Sequence, residues 1–225
     1  MTSPAFTSPA SDVTILQGQT LAFRADPFEV GHEAAVDFNS DGAVAMAGGK
    51  ILEVGPSREV IARHPGAHVE RYGRDLIMAG FVDCHAHYPQ IDIIASYGEQ
   101  LLEWLEKYTF PAEASFSDGA HATAAAHRYL DECQRNGITT ASVYCTVHAG
   151  SVDALFEAAR ARGFAMAGGK VMMDRNSPAD LSDTAQQGYD ESKALISRWH
   201  GKDRITYVVS PRFAVTSTKE QLEAA

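Results

Sequence analysis

From residue 76 onward this chain repeats one unit: an apolar run rich in β-branched residues, then a stretch whose apolar positions recur at helical spacing. The run at 76–82 reads as an apolar segment leading into 84–87, that at 138–145 as a buried strand, and those at 164–173 and 205–209 as further strands. The stretches at 118–136, 151–162 and 183–200 read as helices, each stopped by a glycine: Gly137, Gly163 or Gly201. Ser117 or Asp118 is placed to cap the first of these and Ser151 the second, while Ser217-Thr218-Lys219-Glu220 is a capping box that opens one more helix. A further helical pattern at 101–108 ends with Pro111 just beyond it. Alternation of this kind is the pattern of βα units around a parallel sheet. Right-handed crossovers make it an open doubly wound sheet or part of a closed barrel. Four units cannot close an eight-stranded barrel and leave two unpaired edges, which a missing C-terminal half, a partner chain or a different fold must cover.

The chain before residue 76 has a different rhythm. Residues 1–12 are Ser/Pro/Ala-rich and read as a flexible leader, with no charged start and apolar run of a secretory signal. Residues 13–75 read as a β-rich segment of short strands. Val13-Thr14-Ile15-Leu16 and Thr20-Leu21-Ala22-Phe23 are two of them, and Gly48-Gly49 marks a hairpin. A short helix at 57–63 follows. The hexapeptide Ala-Met-Ala-Gly-Gly-Lys occurs at 45–50 and again at 165–170. Its surroundings differ, hairpin in one place and strand in the other, so it is no internal repeat.

A net charge of −10 and the lack of any basic run argue against nucleic acid and against an anionic membrane as partners. No stretch approaches the roughly eighteen apolar residues of a membrane span. Cys84, Cys133 and Cys145 are few, odd in number and without CxxC spacing, which suits a reducing cytoplasm. The small-molecule class of partner remains.

Chemistry enters at His85-Ala86-His87. On a strand, residues two apart share a face, so both imidazoles can reach one metal ion. Nine histidines in a chain of this length yield roughly 0.4 HxH pairs by chance, so the motif needs its context. On residue type alone Gln90 reads as a solvated loop residue, Arg212 as a surface cation and Phe213 as a core aromatic. Trp104 and Tyr108 read as packing, Asp83 as structural, and Cys84 as facing away from the histidines.

The context is a resemblance. Ala79-Gly80-Phe81-Val82-Asp83-Cys84-His85-Ala86-His87 resembles the first barrel strand of the amidohydrolase superfamily. His87-Tyr88-Pro89-Gln90, then Leu101-Leu102-Glu103-Trp104-Leu105, are similar to the guanine deaminases within it. So are Lys107-Tyr108-Thr109-Phe110-Pro111-Ala112-Glu113, Gly169-Lys170-Val171-Met172-Met173-Asp174-Arg175-Asn176 and Ser210-Pro211-Arg212-Phe213. The resemblance implies an α/β fold, a partial (β/α)8 TIM-like barrel of the metal-dependent hydrolase type over 76–225, preceded by a small β-sandwich segment. It implies zinc-dependent hydrolysis of guanine to xanthine and ammonia in purine catabolism, and pairing into homodimers. It implies His85 and His87 as zinc ligands, and His87, Gln90, Arg212 and Phe213 as substrate-binding residues. Arg offers paired planar donors to a carbonyl edge, and Phe a stacking face.

The same resemblance implies residues that do not appear. Two more histidines, a metal-binding Asp and a catalytic Glu three positions after a His are expected, and no His here precedes a Glu by three. No catalytic acid/base is assigned within this chain; the nearest substitute for a third ligand is His148. The chain reads as the N-terminal half of such an enzyme. The rivals are a related amidohydrolase acting on another aminopurine or a triazine, and a non-catalytic truncated chain.

Overall fold

The structure is a computed structural model that describes residues 12–98 and 100–225. All but Asp12 of the leader read at 1–12 lies outside the described residues. The described residues form two compact units that divide after Ala79.

The first unit is a four-stranded mixed sheet in the order β3-β2-β1-β4, with β1 Thr14–Phe23, β2 Val36–Ala47, β3 Lys50–Pro56 and β4 His68–Met78. The two short runs at 13–16 and 20–23 are one strand, bent by a register shift between Gly18 and Thr20. β2 and β3 form the expected hairpin. Gly48 and Gly49 both hold positive φ, 56° and 73°, as the favoured two-residue turn requires. β1 and β4 run parallel, and the Ser57–Arg63 helix makes the crossover, burying Val60 against Ile15, Ala43 and Ala45. Leu76, Ile77 and Met78 pair with Gln19, Thr20 and Leu21. The division therefore falls after Ala79 and not at 75/76: an apolar run that continues in sequence is shared between two sheets.

The second unit holds four parallel strands in the order β5-β6-β7-β9: β5 Phe81–His87, β6 Ile138–Tyr144, β7 Ala165–Gly169 and β9 Ile205–Tyr207. A short parallel pair, β8 Val171–Met172 and β10 Ser210–Pro211, continues beyond β7 and β9. Helices Gly119–Arg135, Ala149–Ala161 and Ala185–Trp199 alternate with the strands, and Lys219–Ala224 follows β10. Their apolar faces close over the sheet in one core that includes Leu130, Val143, Leu155, Phe156, Met166, Leu195 and Ile205. Asp118 and Thr184 cap two of the helices through their side chains.

Local signals misplace some caps. Ser151 lies inside the first turn of its helix, where its hydroxyl accepts from the Thr146 amide and donates to the His148 carbonyl. Thr218, and not Ser217, caps the last helix. Nor does Pro111 stop the chain's helical run. Leu101–Trp104 passes into a π-helical turn at Leu105–Thr109 and on through Phe110–Ala114. A widened turn just upstream accommodates a ring that has no N–H to give. That continuation carries Glu113 into the site described below.

β5 and β9 are the outer strands of the parallel sheet. Phe81 and Val82 on β5 are exposed, as are Val208 and Val209 just past β9.

Candidate active site

The cavity lies at the C-terminal ends of the parallel strands, where α/β folds place their ligands. His85 and His87 occupy the last turn of β5 and share a face, with ring centroids 5.2 Å apart. Asp83 accepts a hydrogen bond from the His85 amide at 3.1 Å and so braces the strand locally. Tyr144 ends β6 in register with His87, and the two rings stack at 4.8 Å with planes 11° apart. Burial pushes the His87 pKa from 6.5 down to about 4, helped by the charges of Arg212 and His85. The imidazole is therefore neutral at pH 7, the form that binds a metal ion. Its Nδ1 is buried with no hydrogen-bond partner.

A second group faces the histidines. Gln90 sits in the 3-10 turn Tyr88–Ile93, Glu113 in Phe110–Ala114, and Arg212 just after β10. Arg212 grips Glu113 with both terminal nitrogens, Nη1 to Oε2 at 2.5 Å and Nη2 to Oε1 at 3.1 Å. Gln90 Nε2 donates to the same Oε1 at 3.2 Å. The Arg212 and Glu113 side chains are 7% and 1% exposed, so the ion pair is desolvated. The Phe110 ring lies beneath the guanidinium, 5.6 Å from Cζ.

Between the histidines and this second group lies a cavity of about 300 Å³. His85, His87, Gln90, Arg212 and Phe213 all border it, with Leu101, Trp104, Leu105 and Tyr144 completing the wall. The five residues singled out in the sequence thus converge on one space. Trp104 does more than pack: it faces the cavity while its indole N–H donates to the Ser96 carbonyl at 3.1 Å. Cys84 is exposed, and Tyr108 does not border the cavity. His148 lies elsewhere, in the field of Lys170, Asp180 and Glu191. Sequence reasoning missed Tyr144 and the role of Glu113. The Glu113 signal was its place in the 107–113 block; nothing local pointed to a partner at residue 212.

The histidine pair fits part of a zinc site. Two adjacent imidazoles, one of them with a buried orphan nitrogen, match zinc's taste in ligands. Among the described residues, however, no group of three or more His, Cys, Asp or Glu side chains stands ready to hold a metal ion. Catalytic zinc commonly has three protein ligands and water, so the set is incomplete.

Residues 76–225 match the amidohydrolase family, and the chain belongs to that family. Residues 42–67 match the imidazolonepropionase-like composite domain of bacteria. The likeness narrows within the family. The guanine deaminase of Escherichia coli K12 is 46% identical over 193 residues, covering 85% of this chain and 44% of the relative. The probable guanine deaminase of Deinococcus radiodurans is 38% identical, over 89% of this chain and 46% of its own. The crystal structure of guanine deaminase from Bradyrhizobium japonicum superposes with a TM-score of 0.92 at 35% identity, over 95% of this chain and 47% of that one. The parallel sheet and its helices are thus part of an amidohydrolase barrel, preceded by a β segment. The chain spans about half the length of the curated relatives it matches. No helix among the described residues is long and apolar enough to cross a membrane.

Proposed function

We propose that this chain is the N-terminal half of a zinc-dependent guanine deaminase, hydrolysing guanine to xanthine and ammonia in purine catabolism. The observation that carries the reading is the convergence of His85 and His87 with Gln90, Arg212 and Phe213 on one cavity. The names borne by the similar proteins support it. His85 and His87 would hold the zinc ion, which when bound supplies Lewis acidity and activates water near neutral pH. Arg212 donates to the carbonyl edge of the base, Gln90 meets a neighbouring polar atom, and Phe213 covers a face of the ring. Leu101, Trp104 and Leu105 form an apolar wall that keeps bulk water from the bound base.

The further metal ligands and the acid/base group that the reaction needs are not among the side chains gathered here, so binding is the informative assay for this chain. Three unpaired cysteines support a reducing, cytoplasmic setting. Equilibrium dialysis against guanine, with zinc content measured by elemental analysis, tests the reading. Saturable guanine binding that weakens in Phe213→Ala is expected. No such binding, or equal binding of guanine, adenine and an aminotriazine, would end the reading in favour of a related amidohydrolase or a non-catalytic chain.

A further inference from the structure

We infer that Glu113 is a positioning residue: it fixes which limb of the Gln90 amide faces the cavity, and with Arg212 sets the pattern of donors and acceptors shown to a ligand. The inference rests on the guanine reading for its ligand, but its geometry stands apart from it.

A carboxylate paired with a guanidinium only accepts hydrogen bonds. The limb of the Gln90 amide that lies 3.2 Å from Glu113 Oε1 is therefore its NH2 group. An unanchored glutamine could turn either limb toward a ligand, because the two are nearly the same size. Glu113 removes that choice. The amide oxygen is left on the opposite limb, without a hydrogen-bond partner among the described residues, on a side chain that borders the cavity. Arg212 gives one N–H from each terminal nitrogen to Glu113 and approaches the Met173 sulfur at 4.0 Å through Nη1. Its Nε–H and a second hydrogen on Nη2 remain to donate. Gln90 Nε2 and Arg212 Nη2 rest on the same oxygen, Oε1, at 3.2 and 3.1 Å, so the two side chains stand side by side.

The wall thus offers one acceptor, Gln90 Oε1, beside one donor, Arg212. That pair complements a lactam edge, an N–H next to a C=O, which a 6-oxopurine carries on its six-membered ring. An amidine edge such as that of adenine, seated in the same orientation, mismatches both groups, because its ring nitrogen accepts and its exocyclic amine donates. A polar site built for one pattern rejects the other because its buried groups are left unpaired.

Glu113→Gln tests this, since it keeps the shape but removes the obligate acceptor and frees the Gln90 amide to turn. Two readouts are needed on the full 225-residue chain: dialysis with guanine and with adenine, and the nitrogen-15 side-chain amide signals of Gln90, assigned by their loss in Gln90→Leu. In Glu113→Gln, guanine binding is expected to fall roughly tenfold or more while adenine binding holds or improves. The Gln90 amide protons shift and exchange faster with water. Glu113→Asp, which keeps a carboxylate, restores the preference in part. Equal losses for both purines, or an unchanged preference, overturn the inference. If Glu113→Gln does not fold, the wild-type signals decide: Gln90 amide protons that exchange as fast as those of exposed Gln134 also overturn it. If the wild-type chain binds neither purine, the guanine reading fails, and the amide signals alone decide whether Glu113 holds Gln90.

Discussion

Arg212 and Glu113 meet through two roughly parallel hydrogen bonds, across 99 residues of chain, with almost no solvent at either side chain. Removing one partner strands the other. Glu113→Ala and Arg212→Met should each cost about 3–5 kcal/mol, the usual penalty for an unpaired buried charge. The double variant should cost much less than the sum. Urea unfolding of the two single variants and the double variant measures this, and additive losses would show that the pair carries no coupling.

The twin hexapeptide supplies a second test. Gly49 turns the β2–β3 hairpin at positive φ with open space around a notional Cβ. Gly169 ends β7, where such a Cβ would sit 1.9 Å from the Val208 carbonyl oxygen. Gly49→Ala should cost on the order of 1 kcal/mol, a backbone penalty alone. Gly169→Ala should cost more, at least about 1–3 kcal/mol, because backbone must move. Comparable midpoints in denaturant would contradict the difference.

The same pair marks the limit of what local sequence can say. Six identical residues become a hairpin with exposed Lys50, and a buried strand end whose Lys170 is wholly enclosed, 2.6 Å from Asp183. Periodicity and glycine stops were enough to read the alternation of strand and helix and the parallel sheet, because those depend on neighbours in sequence, but not the sharing of the 76–82 run between two sheets. The His85–His87 pair was legible for the same reason, and Gln90, Arg212 and Phe213 through the family likeness. Glu113 and Tyr144 were not, because each acts through a partner that only the folded sheet delivers: Arg212 for one, His87 across the β5–β6 register for the other. Pro111 was read as a stop because the π turn that accommodates it has no simple sequence mark.

Acid should weaken the fold in part through His148. Burial lowers its pKa below the usual 6.5, as does Lys170, against the opposing pull of Asp180 and Glu191. The native state then binds fewer protons than the unfolded chain just below pH 6.5. The stability that the neutral ring preserves is complete above that pH and drains away as pH falls through it. His148→Asn should flatten this part of the stability–pH curve, as followed by urea midpoints between neutral and mildly acidic buffer. An unchanged slope would remove His148 from the account.

The thiols should separate cleanly. Cys84 is exposed on β5, whereas Cys133 and Cys145 are buried, and burial pushes both thiols above their ordinary range. Titration with a chromogenic disulfide should show one fast-reacting thiol in the native chain, absent in Cys84→Ser, and the other two only after denaturation. Fast reaction of more than one would contradict the core as described.

The distance along the chain between residues 113 and 212 has a thermodynamic side. In an unfolded ensemble the two are unrelated, so Arg212 is held at the cavity by Glu113 only in native protein, and a molecule that seats against Arg212 binds that state alone. Mass action then makes that molecule a stabiliser, worth about 2.7 kcal/mol at a hundredfold excess over its dissociation constant. The amount of properly folded chain in a cell would track the supply of whatever fills the cavity, quite apart from any turnover.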